Sequence, residues 1–261
     1  MIKLIVSDID GTLVNNEKEV PVSFWKAFER MQELDILFCV ASGRQIQSLH
    51  KLFAPIKNNI AYAPDNGASL IYQNKTLFEK LITPADYLPI MRTCNEINGI
   101  GVALCGRDRA YIKTDSEWIF DEIARHYPAH TTVSDFAAID DDIFKITICD
   151  EGISRLNSYQ YLKKYQNDFN VVISGEIWLD ITGKDVNKGN AITHLQRILE
   201  ITPEETVVFG DHMNDVEMIQ CAKHSYAMKN AQEELKALAK YVTEYDNNEA
   251  GVVKEIEKIL K

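Results

Sequence analysis

Two aspartates two positions apart, Asp8 and Asp10, close a short β-branched apolar run and are followed by Gly11 and Thr12. Two further polar clusters end apolar runs in the same manner: Ser42-Gly43-Arg44 after residues 36–41, and Asp211, Asn214 and Asp215 after residues 206–209. If these runs are strands of one parallel sheet, their ends converge on a single crevice, where open α/β sheets bind ligands. Carboxylates crowded there repel one another and are costly to ionise without a cation between them. An all-oxygen donor set, with no His or Cys pairs at zinc spacing, suits hard Mg²⁺. Lys188, beside Gly189 at the start of a helical pattern, adds a positive charge where helix-start N–H groups also favour anions. A divalent metal, a lysine and helix-start amides around a carboxylate describe a site for phosphoryl groups.

Phosphate monoester hydrolysis needs up to about 10²¹-fold acceleration, so such a site must combine several effects. An aspartate can attack phosphorus to give an aspartyl-phosphate, if metal and lysine neutralise the phosphoryl oxygens. A second carboxyl two residues on can protonate the leaving oxygen and then, ionised, deprotonate the water that releases phosphate. Taken alone, the Asp8-x-Asp10 turn also fits a calcium loop or a solvated turn, although Leu13 and Val14 spoil an EF-hand.

These groups need elements to hold them. Residues 3–7, 36–41 and 59–63 read as short buried strands, and 23–33 and 45–53 as helices, which gives βαβαβ and hence a parallel sheet. From about residue 84 to 181 the pattern changes to closely spaced strands, at 102–105, 110–113, 144–149, 171–174 and 177–181. A helix with apolar positions Ile153, Leu156 and Leu162 is expected among them. The parallel pattern then resumes with a helix at 188–199 and a strand at 206–209. The expected organisation is a core from residues 1–83 and 182–261 with an inserted α+β unit at 84–181.

The chain has 261 residues, 28 basic and 39 acidic side chains, and a formal net charge of -11. No basic stripe is present, which argues against a nucleic-acid partner, and no apolar run reaches the about 18 residues a membrane span needs. With no signal peptide apparent and five cysteines that never form C-x-x-C, a cytoplasmic protein with buried, inert thiols is expected. The pair His126 and His130 is interrupted by Pro128 and reads as a surface turn. Trp118, Trp178, Tyr111 and Phe120 are candidates to line a substrate lid or to fill the core of the insertion. Oligomeric state is not legible.

Across essentially its whole length the chain resembles haloacid dehalogenase superfamily phosphatases, in particular the Cof-type subclass (IIB), whose cap is inserted between the second and third motifs. The first motif stands at residues 4–13, ending Asp8-Ile9-Asp10-Gly11-Thr12-Leu13. The others stand at Ser42-Gly43-Arg44, Lys188-Gly189 and Gly210–Asp215, and Asn66-Gly67-Ala68 and residues 247–252 also fit the subclass. The resemblance implies a Rossmann-like core with an α+β cap that closes over a small phosphorylated metabolite, plausibly a sugar phosphate. It implies that Asp8 is the nucleophile and Asp10 the acid/base. It further implies phosphate binding by Ile9, Ser42, Gly43, Lys188 and Asn214, and Mg²⁺ binding by Asp8, Asp10 (through its carbonyl), Asp211 and Asp215. Two positions depart from the subclass, His212 and Asn187; neither breaks the chemistry, both are candidates to alter the pocket, and His212 is expected to be exposed. A phosphomutase or phosphotransferase using the same nucleophile is the nearest alternative; a regulatory phosphate-binding module without turnover is a more distant one.

Overall fold

The first apolar run forms β1 (Leu4–Ser7), all four residues buried, and hands the chain through a turn to α1 (Val22–Glu33). Helix α1 buries Phe24, Ala27, Phe28 and Met31, a three-and-four spacing that lines one face. Then follow β2 (Leu37–Ala41), α2 (Ile46–Leu52) and β3 (Ala61–Ala63). A hairpin of β4 (Ser69–Tyr72) and β5 (Lys75–Glu79) turns through Gln73 and Asn74, both at positive φ.

The structure is a computed structural model that describes all residues, 1–261. It divides into two compact units, Met1–Glu79 with Asn187–Lys261, and Lys80–Val186. The second comprises α3 (Pro84–Cys94), β6 (Ile100–Gly106), β7 (Ala110–Lys113), α4 (Glu117–His126), β8 (His130–Thr132), β9 (Ile143–Asp150), α5 (Ser158–Leu162), β10 (Phe169–Ile173) and β11 (Trp178–Gly183). Its six strands lie in the order β10-β11-β9-β6-β7-β8, antiparallel except for the β7/β8 pair. Ile146, Ile148, Leu179 and Ile181 face one apolar cluster while Ala103, Cys105 and Cys149 face another, so alternation along each strand serves both faces.

The helix expected to carry Ile153, Leu156 and Leu162 is broken. A single helical turn covers Ser154–Leu156, and α5 restarts at Ser158 because the buried Asp150 carboxylate accepts from both the N–H and the hydroxyl of Ser158. Ile153 and Leu156 are exposed; only Leu162 enters the core.

The first unit is completed by α6 (Lys188–Leu199), β12 (Thr206–Gly210), α7 (Val216–Gln220), β13 (His224–Ala227), α8 (Glu233–Leu238), β14 (Tyr241–Val242) and α9 (Gly251–Ile259). Its sheet runs β14-β13-β12-β1-β2-β3-β4-β5, parallel from β14 to β3 and antiparallel beyond. From β1 the chain winds first toward β2 and β3, and later toward β12, β13 and β14 on the other side. The strand order therefore reverses at β1, the point at which open α/β sheets bind ligands beyond the strand ends. No helix is long and apolar enough to cross a membrane.

Candidate active site

Register places the groups. Ser7 at the end of β1 pairs with Val40 of β2 and Phe209 of β12, so Asp8, Ser42 and Asp211 leave three adjacent strands at one edge. The Asp8 N–H donates to the Phe209 carbonyl (3.0 Å), which fixes where its side chain emerges. Gly11 has φ +78, and a Cβ there would lie 2.3 Å from an Asp211 carboxylate oxygen; only glycine lets the turn pass so close.

The centre of the site is a buried ion cluster. Lys188, the first residue of α6 and 1% exposed, donates to Asp8 (2.7 Å) and to Asp215 (2.6 Å). Oxygens of Asp8, Asp211 and Asp215 all lie within 4.8 Å of one another. Burial pushes the Asp8 carboxyl well up; Lys188 opposes this, and Asp215 and Asp211 add to it. The Asp211 carboxyl is raised by burial and by Asp215, against hydrogen bonding from Thr12 (2.8 Å). Burial disfavours the Lys188 ammonium, but Asp215 and Asp8 outweigh it and hold the proton more firmly than on a free lysine. One ammonium cannot neutralise three carboxylates, and the residual negative charge on oxygen donors fits a hard divalent cation.

The three aspartates are not equivalent. Asp215 is saturated: one oxygen takes Lys188, and the other accepts from the N–H groups of Asp211 (2.9 Å) and His212 (3.2 Å). Asp10 stands outside the cluster. Arg44 grips its carboxylate with two bonds (2.8 and 2.7 Å) and Lys18 adds a third (2.8 Å). Burial raises the Asp10 carboxyl, yet Arg44 and Lys18 overcome this and hold it at about 2. In this arrangement Asp10 is a carboxylate, the form that accepts a proton; to donate one it must first be relieved of part of that grip.

Around the cluster, Ser42 is buried and its hydroxyl accepts from the Arg44 N–H (3.2 Å). Asn214 donates to Asn66 (3.1 Å), whose side chain also lies against Gly43. Ile9 buries its side chain in the core, and its carbonyl accepts from the N–H groups of Thr12, Leu13 and Val14, so any phosphate contact of Ile9 must use its N–H. Asp65, Asn66 and Gly67 are successive left-handed residues. A Cβ on Gly67 would lie 2.5 Å from the Asn187 carbonyl oxygen, so this turn seats directly on the start of α6. Asn187 is the N-cap of that helix, accepting from the Asn190 N–H (2.7 Å), and so supports the helix start that carries Lys188. His212 is exposed.

Sequence reasoning therefore named the charged centre but missed Lys18, the grip of Arg44 on Asp10, the Thr12–Asp211 bond and the Asn66–Asn214 pair. Arg44 and Asn66 stood in motifs already singled out; Lys18 carried no signal.

Residues 5–256 match the family described as haloacid dehalogenase-like hydrolase. The chain is 31% identical over 265 residues to 5-amino-6-(5-phospho-D-ribitylamino)uracil phosphatase YbjI of Escherichia coli (strain K12), covering 100% of this chain and 97% of that protein. The solved structure of SMU.1108c from Streptococcus mutans UA159 superposes with a TM-score of 0.90 at 30% identity, over 100% of this chain and 99% of the other. The HAD subclass IIB sugar phosphatase BT4131 superposes with a TM-score of 0.84 at 25% identity, over 98% of each chain.

Proposed function

The chain belongs to the haloacid dehalogenase-like hydrolases and is a phosphoric monoester hydrolase, and from that premise we propose that it cleaves small phosphate esters at Asp8 with the help of Mg²⁺. The observation that carries the reading is the ion cluster at the reversal point of the sheet. A buried carboxylate there is held on one oxygen by Lys188 and lies beside two further carboxylates.

Asp8 is the nucleophile: a carboxylate oxygen forms a bond to phosphorus as the bond from phosphorus to the leaving oxygen breaks. Lys188 neutralises charge on the phosphoryl oxygens and draws the buried Asp8 carboxyl toward its ionised, nucleophilic form. Ser42, Gly43, Asn214 and the Ile9 N–H bind the remaining phosphoryl oxygens. Asp10 gives a proton to the leaving oxygen and takes one from the water that then attacks the aspartyl-phosphate. Asp8, the Asp10 carbonyl and Asp211 would hold Mg²⁺, which would supply Lewis-acid stabilisation of the transferring phosphoryl group. Asp215, with both oxygens engaged, fixes Lys188 and the Asp211 turn.

The names of the relatives favour a phosphate on a polyhydroxylated carbon chain: one acts on a phosphoribityl compound and one is a sugar phosphatase. Choice among such esters is assigned to the unit at residues 80–186. The test is a panel of phosphorylated sugars and polyols, with an aryl phosphate, assayed with and without Mg²⁺ for wild type and Asp8→Asn. Free phosphate from wild type only, dependent on the cation, is expected. Turnover retained by Asp8→Asn contradicts the scheme, and an isomerised sugar phosphate without free phosphate identifies a mutase instead.

A further inference from the structure

The loop after Asp10 is fastened from the far end of the chain by asparagines. Asn247, 3% exposed, donates its amide to the Val14 carbonyl (3.0 Å) and to the Asn16 side chain (3.2 Å). Asn230 donates to the Gly11 carbonyl (2.8 Å) and accepts from the Asn247 N–H (3.3 Å). The Asn16 N–H donates to Asn248 (3.0 Å). Every one of these bonds to the loop lands between Gly11 and Asn16.

That loop carries Asp10 at both of its limbs. Val14 forms a bridge with Asp10 and donates its N–H to the Ile9 carbonyl (3.0 Å), so the Val14 backbone sets the Asp10 backbone. Beyond it, Asn15 and Glu19 exchange backbone and side-chain bonds, with Lys18 at φ +65 between them, and this turn returns the Lys18 ammonium to the Asp10 carboxylate. Asn247 is itself presented by a costly turn: Ala250 has φ 58, and Gly251, the first residue of α9, donates to the Asp246 carbonyl (2.9 Å). Left-handed backbone at a residue with a Cβ persists only where its surroundings require it. General acid catalysis tolerates little misplacement, since an error of about 1 Å can cost about 10²-fold.

Resting on the reading of Asp10 as the acid/base, we infer that Asn247 is a positioning residue for Asp10, with Asn230 as its auxiliary. Neither touches the reacting atoms; both hold the loop that aims the carboxyl at the leaving oxygen.

The experiment compares kcat/KM for two esters, because this ratio reports the chemistry up to formation of the aspartyl-phosphate. An alkyl phosphate needs its leaving oxygen protonated; 2,4-dinitrophenyl phosphate does not. Asn247→Ala is expected to lower kcat/KM about 10- to 100-fold for the alkyl ester and less than about 3-fold for the dinitrophenyl ester. Asp10→Asn should show the same contrast, larger. Asn247→Asp, which keeps the shape but loses the amide donor, should match Asn247→Ala. Asn230→Ala, cut on an exposed side chain, should show a weaker contrast and serves if both Asn247 variants fail to fold. Equal losses for the two esters, or none for either, overturn the inference. If Asp10→Asn itself lacks the contrast, the acid assignment falls with it, whereas a normal Asp10→Asn contrast beside a flat Asn247 profile removes Asn247 alone.

Discussion

Replacing Lys188 with methionine keeps the length and apolar stem of the side chain and removes the one ammonium bonded to both Asp8 and Asp215. Removing one partner from a buried ion pair costs about 3–5 kcal/mol, because the charge left behind has no water to replace it. Lys188 lowers the Asp8 carboxyl toward ionisation, so its loss raises further a group that burial already pushes well up. The unfolded chain releases the proton of this group with a pKa of about 3.9. Each pH unit over which the folded variant still holds that proton after the wild type has released it costs the variant about 1.36 kcal/mol, a cost that falls away as pH drops. Lys188 does not itself titrate in this window. Its raised pKa means that its contribution to the wild type is complete below the unfolded lysine value of about 10.4 and is lost only above it. Urea unfolding of both proteins in chelator should therefore show a deficit of about 3–5 kcal/mol at pH 7 that is smaller at pH 5. A deficit below about 1 kcal/mol, or one equal at the two pH values, refutes the claim that the lysine is what makes these carboxylates tolerable.

Asp8→Asn should abolish hydrolysis yet, in chelator at pH 7, unfold at higher urea by about 1–3 kcal/mol. Its carboxyl is raised by burial, so the wild type loses stability as pH rises above about 3.9; the advantage of the variant should fade by pH 4 in a paired denaturation series. Gly67→Ala combines φ +86 with a Cβ 2.5 Å from a carbonyl oxygen, and thermal unfolding should show a loss of about 1–3 kcal/mol with reduced turnover as the start of α6 shifts. Asn187→Ala removes a helix cap worth about 1 kcal/mol, and Asn187→Ser should recover most of it in the same melt.

Much of the first unit was legible because buried parallel strands are short apolar runs and their ends are marked by polar turns. Residues 3–7, 36–41 and 206–209 show both signals. The β4–β5 hairpin escaped, since its turn uses Gln73 and Asn74 in left-handed backbone without the usual glycine. The break before Ser158 escaped for a different reason: periodicity continued across it, while the competing bond from Ser158 to Asp150 spans eight residues and leaves no local mark. In the site, the identity of the charged groups followed from residue type and order. Their orientation did not, because whether Asp10 faces the carboxylate cluster or Arg44 depends on a contact thirty-four positions away.

The pairing of Leu4 with Thr206 sets a schedule for the nascent chain. At a ribosomal pace of about 5–20 residues per second, the inner edge of β1 waits roughly 10–40 s for its permanent neighbour. During that interval a strand that is wholly buried in the finished fold has β2 on one side and an open edge on the other, the kind of surface on which newly made chains stick to one another. Synthesis of the intervening unit lengthens this exposure, so recovery of properly assembled protein should depend on translation speed and on holding factors more than on the final stability of the fold.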